Sequence, residues 1–161
     1  GSLIKLTSLR LSQNNFTGTI PTEFGNLVNL TSLQLTENNL NGNIPSELGD
    51  LKLISTLSLN KNGLSGNIPI SLGNLTQLKY LRLSENNLDG EIPKELGNLT
   101  ELLWLFLHKN QLSGSLPSEL GELSNLIYLF AFSNNLSGEI PSSYANMTKL
   151  ENLSLSENNI S

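Results

Sequence analysis

The chain has 161 residues, of which 37% are hydrophobic and only 14% are charged, and its formal net charge is −5. This length suits one domain with a sizeable core, whose polar surface comes mainly from Asn, Ser and Thr, because charged residues usually make up about a quarter of a soluble protein. The acidic balance argues against binding to nucleic acid or to an anionic membrane, and the absence of cysteine excludes disulfides and cysteine-based metal sites.

A unit of 24 residues begins at Leu6 and recurs along the chain without an insertion. Six full units begin at positions 6, 30, 54, 78, 102 and 126, and a partial unit covers residues 150–161. Internal repeats of this length indicate a solenoid of stacked units. We therefore expect a single domain over residues 1–161.

The first element of each unit is predicted to be a short strand. Leucine holds the fourth position in all seven units and the sixth position in six of them, with Ala131 as the exception. This alternation has a period of two, which predicts a strand that buries one face. Because one unit cannot bury that face alone, we expect the strands of successive units to form a continuous parallel sheet.

An asparagine stands at the ninth position of every unit, directly after the predicted strand. Its side-chain amide has two donors and an acceptor, so a stack of such residues can satisfy backbone groups of neighbouring turns inside the core. The predicted asparagine ladder consists of Asn14, Asn38, Asn62, Asn86, Asn110, Asn134 and Asn158.

A Gly-x-Ile-Pro segment follows in each full unit, first at residues 18–21, and Leu116 is its only departure from isoleucine. Glycine accepts unusual φ values and proline fixes φ, so the chain is predicted to bend here. The Ser/Thr-Glu-Leu-Gly stretch that comes next predicts a 3₁₀ or short helical turn on the outer side. A glutamate that recurs early in this stretch suits a solvated helix start.

The unit resembles the plant-type leucine-rich repeat, L-x-x-L-x-L-x-x-N-x-L-x-G-x-I-P-x-x-L-G-x-L-x-x, over essentially the whole chain. That repeat is typical of the ectodomains of plant receptor-like kinases and receptor-like proteins, and of polygalacturonase-inhibiting proteins. The resemblance implies an α/β leucine-rich repeat solenoid, a right-handed superhelix with a parallel β-sheet on its concave face. It also implies a short second sheet on the flank, and 3₁₀ or short helical turns on the convex side.

Some features of that family are missing. The cysteine-paired caps that usually close such ectodomains are absent, and Leu3 matches position 22 of a preceding unit. Gly1 either continues that unit or belongs, with Ser2, to a cloning remnant. No apolar run approaches the roughly 18 residues of a membrane span, and no secretion signal is present. We expect a fragment of a longer array that lacks caps and that can self-associate through apolar ends.

Positions 2, 3, 5, 7 and 8 of each unit are predicted to point to the concave side, because side chains alternate along a strand. In the first three units these residues are mostly small and polar, whereas units four to six carry aromatic residues. An exposed apolar surface across three strands exceeds what a monomer usually carries, and Trp, Tyr and Arg are favoured at interface centres. The predicted ligand-binding residues are Tyr80, Arg82, Trp104, Phe106, His108, Lys109, Tyr128, Phe130 and Phe132.

These residues predict a module that binds a peptide or protein on its concave face. The resemblance agrees, since peptide ligands and partner receptors bind this face in the plant receptor family. It implies a receptor ectodomain with a ligand and a co-receptor, at the cell surface or secreted. Three alternatives remain open: the aromatic residues stack to stabilise the sheet, a neighbouring domain or subunit covers them, or the chain is a structural spacer in a longer ectodomain.

A secreted defence or ice-binding protein of this fold is a further alternative. A polygalacturonase inhibitor tends to have a charged and polar concave face, which the aromatic residues do not match. Ice binding requires a flat, regular array of small polar groups, such as positions 12 and 14 of each unit could form. Asp89, Glu91 and Glu139 interrupt that array.

We predict no catalysis, metal or cofactor for this segment. His108 is the only histidine, Asp50 and Asp89 are the only aspartates, and no phosphate-binding loop or metal-binding motif occurs. Asn-x-Ser/Thr sequons fit a secreted glycoprotein, although a repeat rich in Asn, Ser and Thr also produces them. The candidate glycosylation sites are Asn15, Asn29, Asn74, Asn98, Asn135 and Asn146.

Overall fold

A computed structural model describes residues 3–161; Gly1 and Ser2, and with them the question of their origin, lie outside the described residues. Each turn of the solenoid contributes one strand to a seven-stranded parallel sheet, in which strand order follows sequence order. This concave sheet confirms the strand predicted for each unit. Its strands are β1 (Ser8–Arg10), β3 (Ser32–Gln34), β5 (Thr56–Ser58), β7 (Tyr80–Arg82), β9 (Trp104–Phe106), β11 (Tyr128–Phe130) and β13 (Asn152–Ser154).

The strands of the concave sheet pair in the register of the repeat. Leu9 pairs with Leu33, and the same 24-residue offset continues to the last pair, Leu129 with Leu153. Residues at one position of the repeat therefore form a column across the sheet, with neighbours about 4.8 Å apart. The leucine columns face the core, where Leu57 and Leu105 are fully buried.

A second set of strands lies on the flank, as the resemblance implied. The first four flank strands along the chain form one sheet and the last three form another, and a single bridge between Glu91 and Ser113 joins the two sheets. The flank strands are β2 (Thr17–Thr19), β4 (Asn39–Gly42), β6 (Gly63–Asn67), β8 (Asn87–Asp89), β10 (Ser113–Ser115), β12 (Asn135–Gly138) and β14 (Asn159–Ile160).

The outer side consists of short 3₁₀ helices, one in each full unit. Each begins after the proline of the Gly-x-Ile-Pro segment, for example after Pro45 with a φ of −62°. Proline suits this place because its φ is fixed near the helical value and the first helical turn leaves backbone donors unpaired anyway. The helices are η1 (Thr22–Asn26), η2 (Ser46–Asp50), η3 (Ile70–Asn74), η4 (Lys94–Asn98), η5 (Ser118–Glu122) and η6 (Ser142–Asn146).

A glycine near the end of each of the first five helices allows neighbouring turns to approach closely. A Cβ atom added to Gly73 would lie 2.5 Å from the backbone oxygen of Glu95 in the next turn. Only glycine fits such a distance without displacement of the next helix. In the sixth unit Ala145 holds this position, and it is exposed.

The asparagine ladder is confirmed at six of its seven positions. The Nδ2 group of Asn86 donates to the carbonyl oxygens of Leu59 and Leu83, each at 3.1 Å. Its Oδ1 atom accepts from the backbone N–H of Leu64, also at 3.1 Å. Since Leu59 and Leu64 belong to the preceding turn, each such asparagine joins two turns. Asn14 differs, because it is exposed and donates only to carbonyls of its own turn.

Candidate functional site

The concave strands end earlier than the sequence suggested, which separates position 8 from the sheet surface. Each strand covers only positions 3–5, and position 8 has a left-handed backbone, with a φ of +56° at both Glu85 and Lys109. The alternation that predicted a concave orientation therefore does not extend to this position. Its side chains pair with one another along a rim, Lys61 with Glu37 at 2.7 Å and Lys109 with Glu85 at 3.5 Å.

Positions 3, 5 and 7 of units four to six form a three-by-three array on the concave sheet, which we call the aromatic block. The in-register pairing of β7, β9 and β11 aligns its columns. The array contains eight of the nine predicted ligand-binding residues, while Lys109 lies outside it on the rim. The nine positions of the block are Tyr80, Arg82, Ser84, Trp104, Phe106, His108, Tyr128, Phe130 and Phe132.

Two pairs of rings stack between neighbouring strands in the middle of the block. The Phe106 and Phe130 rings are nearly parallel, with centroids 4.9 Å apart and an interplanar angle of 5°. His108 stacks on Phe132 at 4.5 Å and 13°. Ring pairs at these separations stabilise each other beyond their buried area. All four side chains are half-buried, so they retain solvent-accessible surface.

Trp104 is the centre of the first column. Tyr80 meets it edge to face at 5.0 Å on one side, and Tyr128 does so at 5.8 Å on the other. The Tyr128 hydroxyl donates to a carboxylate oxygen of Glu151 at 3.3 Å. The edge-to-face contacts agree with the interpretation that these aromatic residues stack to stabilise the sheet. Trp104 is only half-buried, so part of its ring surface is still accessible to solvent.

Arg82 forms the boundary of the block towards the polar units. Its guanidinium carbon lies 4.9 Å from the Trp104 ring centroid and 5.5 Å from that of Tyr80. One guanidinium N–H donates to the hydroxyl of Ser58 at 3.2 Å, and Ser58 is only 3% exposed. Burial lowers the pKa of Arg82, which nevertheless stays protonated at neutral pH. These contacts hold the cation in a fixed orientation over the rings.

His108 packs against three rings of the block from the column of position 7. Its Nδ1 atom is buried and has no hydrogen-bond partner, and burial is the main reason that its pKa is lowered. Nearby Glu85 opposes this shift in the pKa, and Lys109 adds to it. The ring is therefore neutral near pH 7, and packs as an aromatic surface rather than as a cation.

The candidate glycosylation sites lie away from the block. All six asparagines are exposed; Asn74, Asn98 and Asn146 are the last residues of 3₁₀ helices. The amide of Asn29 donates to the carbonyl of Ile4 at 2.6 Å. Asn152, which also begins an Asn-x-Ser sequence, is exposed next to Tyr128 in the concave sheet.

Residues 3–161 present other surface features outside the block. A cavity of about 850 Å³ opens on the flank, where Ile68, Ile92 and Leu116 contribute to its lining. Within this part of the chain, no group of three or more His, Asp or Glu side chains is arranged to hold a metal ion. None of its helices has the length and apolar character that a membrane crossing requires.

Two family models match the sequence, one described as a leucine-rich repeat region over residues 57–160 and one as a leucine rich repeat over residues 4–64. No curated protein matches it.

Solved structures similar to the chain include two plant receptors. The Arabidopsis receptor kinase HAESA, solved with the peptide hormone IDA and the co-receptor SERK1, is 46% identical with a TM-score of 0.93, and the match covers 97% of this chain and 26% of that one. The plant peptide hormone receptor RGFR1, solved with RGF2, is 41% identical with a TM-score of 0.93, and the match covers 94% of this chain and 24% of the receptor. The chain thus spans about a quarter of each receptor structure.

A plant ice-binding protein is also similar in structure. It is 33% identical with a TM-score of 0.88, and the match covers 96% of this chain and 50% of that protein.

Proposed function

Since this chain belongs to the plant-type leucine-rich repeat family, we propose that it is a binding module whose concave face recognises a peptide or protein through the aromatic block. The observation that carries the proposal is the block itself. Large side chains fill three adjacent strands there, while small polar residues occupy the strands on both sides. Rings held by their neighbours lose little conformational entropy when a ligand binds, which favours affinity.

The dimensions of the block favour an extended segment as its direct ligand. Three strands at about 4.8 Å spacing and five residues at about 3.3 Å rise give roughly 10 Å by 13 Å between the outermost Cα positions. That length accommodates about four extended residues. The area of the block is also much smaller than the roughly 800 Å² that each partner buries in a typical protein–protein interface. A peptide, or one projecting segment of a larger partner, matches this size.

The similar receptor structures support a finer form of the proposal. HAESA and RGFR1 are receptors solved with a peptide hormone and with RGF2, respectively, and HAESA also with a co-receptor. We propose that this chain is a segment of an extracellular receptor ectodomain, that a co-receptor joins its ligand complex, and that the segment has no catalytic activity. A longer reading frame that encodes a membrane-spanning helix and a kinase after the repeats would support the receptor assignment.

The test truncates the block and measures binding of peptides selected on the immobilised protein from a random heptapeptide display library. We expect Trp104→Ala and Phe130→Ala each to weaken binding at least ten-fold, because central aromatic residues often contribute about 2 kcal/mol or more. Phe16→Ala is the matched control, since Phe16 is 47% exposed and lies outside the block. The circular dichroism spectra should stay unchanged. Wild-type affinity in both block variants would refute the site.

Ice binding is the second candidate, because an ice-binding protein is among the similar structures. The flank carries rows of Thr, Asn and Ser in the first three units, but Asp89, Glu91 and Glu139 are exposed in the later ones. Ordered small polar groups thus extend over only part of the flank. A thermal hysteresis measurement separates the two functions, and we expect none above that of an unrelated protein.

A further inference from the structure

The flank of the solenoid departs from the repeat in its third and fourth units. Position 17, which is the first residue of each 3₁₀ helix, is Thr or Ser in four of the six full units. Ile70 and Lys94 hold this position in the other two. Position 14 is Thr, Asn or Ser in four units, but it is Glu91 in the fourth and Glu139 in the sixth. Units with the small polar residues form the same elements, so the scaffold does not require these departures.

Three of these departures meet at the cavity of about 850 Å³ on the flank. The cavity lies across the third, fourth and fifth turns, between position 14, at or just beyond the ends of the flank strands, and position 17, where the helices begin. Buried Ile68 and Ile92 form part of its floor. We call this surface the flank groove, whose exposed borders are Asn67, Glu91 and Ser115 on one side and Ile70, Lys94 and Ser118 on the other.

Ile70 is the apolar feature at the border of the flank groove. It is 67% exposed, so most of its side chain is free to contact a partner. A single exposed apolar residue is common on a protein surface, but Ile70 stands beside a concave surface with apolar residues in its floor. An apolar side chain that entered the groove would bury Ile70 and itself at the same time. The apolar area removed from water on both molecules would favour binding.

The charged residues of the flank groove favour a cationic partner. Glu91, Glu95 and Glu119 line the groove against a single cation, Lys94. None of these four side chains forms a salt bridge within residues 3–161, in contrast to the paired glutamates and lysines of the rim. Glu119 accepts a hydrogen bond from the hydroxyl of the adjacent Ser118, which leaves its charge uncompensated. A surplus of negative charge attracts a partner with positive charge and disfavours an acidic one.

We propose that the flank groove is a second interaction surface, which binds a segment of a partner protein in which Lys or Arg stands next to a large apolar side chain. The apolar side chain packs on Ile70 and the floor of the groove, and the cation pairs with Glu91 and Glu95. This inference is separate from the proposed function, because the groove lies on the flank and the aromatic block lies on the concave sheet. The two surfaces can therefore be occupied at the same time.

The experiment selects peptides from the random heptapeptide display library on the immobilised wild-type protein, and keeps those whose binding neither Trp104→Ala nor Phe130→Ala weakens. These peptides bind outside the aromatic block. We expect them to be enriched in Lys or Arg next to Leu, Ile or an aromatic residue. The affinity of synthetic, fluorescently labelled copies, measured by anisotropy, should fall as salt is added, because ions screen exposed charge pairs.

Two variants locate the binding of these peptides. Ile70→Ser, which gives the third unit the residue that Ser46 provides in the second, should weaken binding about ten-fold through the loss of buried apolar area. Val28→Ser is its matched control, since Val28 is 50% exposed and does not line the groove. Glu91→Gln should weaken binding about three-fold at low salt, as expected for an exposed ion pair. Glu47→Gln, in η2 and outside the groove, should have no effect.

Several results would overturn the inference. If the retained peptides bound Ile70→Ser as well as the wild type, or if no peptide were retained, the groove would not be an interaction surface. Peptides that needed Ile70 but no cation, or acidic peptides that needed Lys94, would refute the stated partner. None of these results bears on the proposed function, which fails only if no selected peptide depends on Trp104 and Phe130.

Discussion

The substitution Asn86→Ala tests how strongly the asparagine ladder holds the solenoid together. Asn86 is 8% exposed and makes hydrogen bonds to three carbonyls and one backbone N–H. Alanine leaves the N–H of fully buried Leu64 without its partner, whereas the carbonyls of Leu59 and Leu83 each keep a second amide donor, from Asn62 and Asn110 respectively. A buried group that loses its partner costs about 1–3 kcal/mol and each lost bond to a carbonyl costs about 0.5–1.5 kcal/mol, so the substitution should cost about 3 kcal/mol.

The measurement is the free energy of unfolding from urea titrations, followed both by far-ultraviolet circular dichroism and by Trp104 fluorescence. Coincident transitions of the two probes would justify a single free energy for an array of repeats, whose units can also unfold separately. Asn14→Ala is the matched control, because Asn14 is exposed and lacks bonds to another turn. It should cost less than about 1 kcal/mol. If the two substitutions cost the same, the ladder does not stabilise the fold in the way described.

Three further predictions concern positions where one side chain meets a tight or unsatisfied environment. Gly73→Ala should lower the free energy of unfolding, measured in urea, by about 2–3 kcal/mol, because the new Cβ atom would lie 2.5 Å from the backbone oxygen of Glu95. The reverse change at the equivalent position, Ala145→Gly, should lower it by less than about 1 kcal/mol. Equal losses in the two variants would contradict the clash at Gly73. The buried Tyr144 hydroxyl has no hydrogen-bond partner, and burial raises its pKa. Because Tyr144→Phe removes this unsatisfied group, the free energy of unfolding should stay the same or rise by about 1 kcal/mol. A clear loss of stability would show that the hydroxyl makes a stabilising interaction. The single histidine should titrate in NMR spectra below its ordinary pKa of 6.5, so the stability from neutral His108 is present above pH 6.5 and is lost as pH falls through the folded-state pKa. His108→Phe should remove this pH dependence, and a midpoint at or above 6.5 would argue against burial of the ring.

The scaffold could be predicted from the sequence almost completely, because each recurring residue solves a local problem that repeats in every turn. Alternating leucines require one buried face, and Asn86 and its equivalents require backbone partners at one fixed place. Between the concave strands, a strict 24-residue period favours the register in which equivalent positions align. The flank sheet is different. Its pairs, such as Gly18 with Leu40, are offset by 22 residues, which the repeat does not reveal.

The sequence by itself determined which side chains share the concave face: the period fixed the columns, and the columns placed aromatic residues in units four to six. Only the tertiary structure decided how those side chains meet. The left-handed backbone at position 8 moved Lys109 to the rim, into a pair with Glu85. Packing placed Arg82 over Trp104 and left it without an acidic partner within residues 3–161. The physical reason is that periodicity encodes backbone position, whereas contacts between side chains depend on rotamers and on competing partners, which a pattern of residues does not specify.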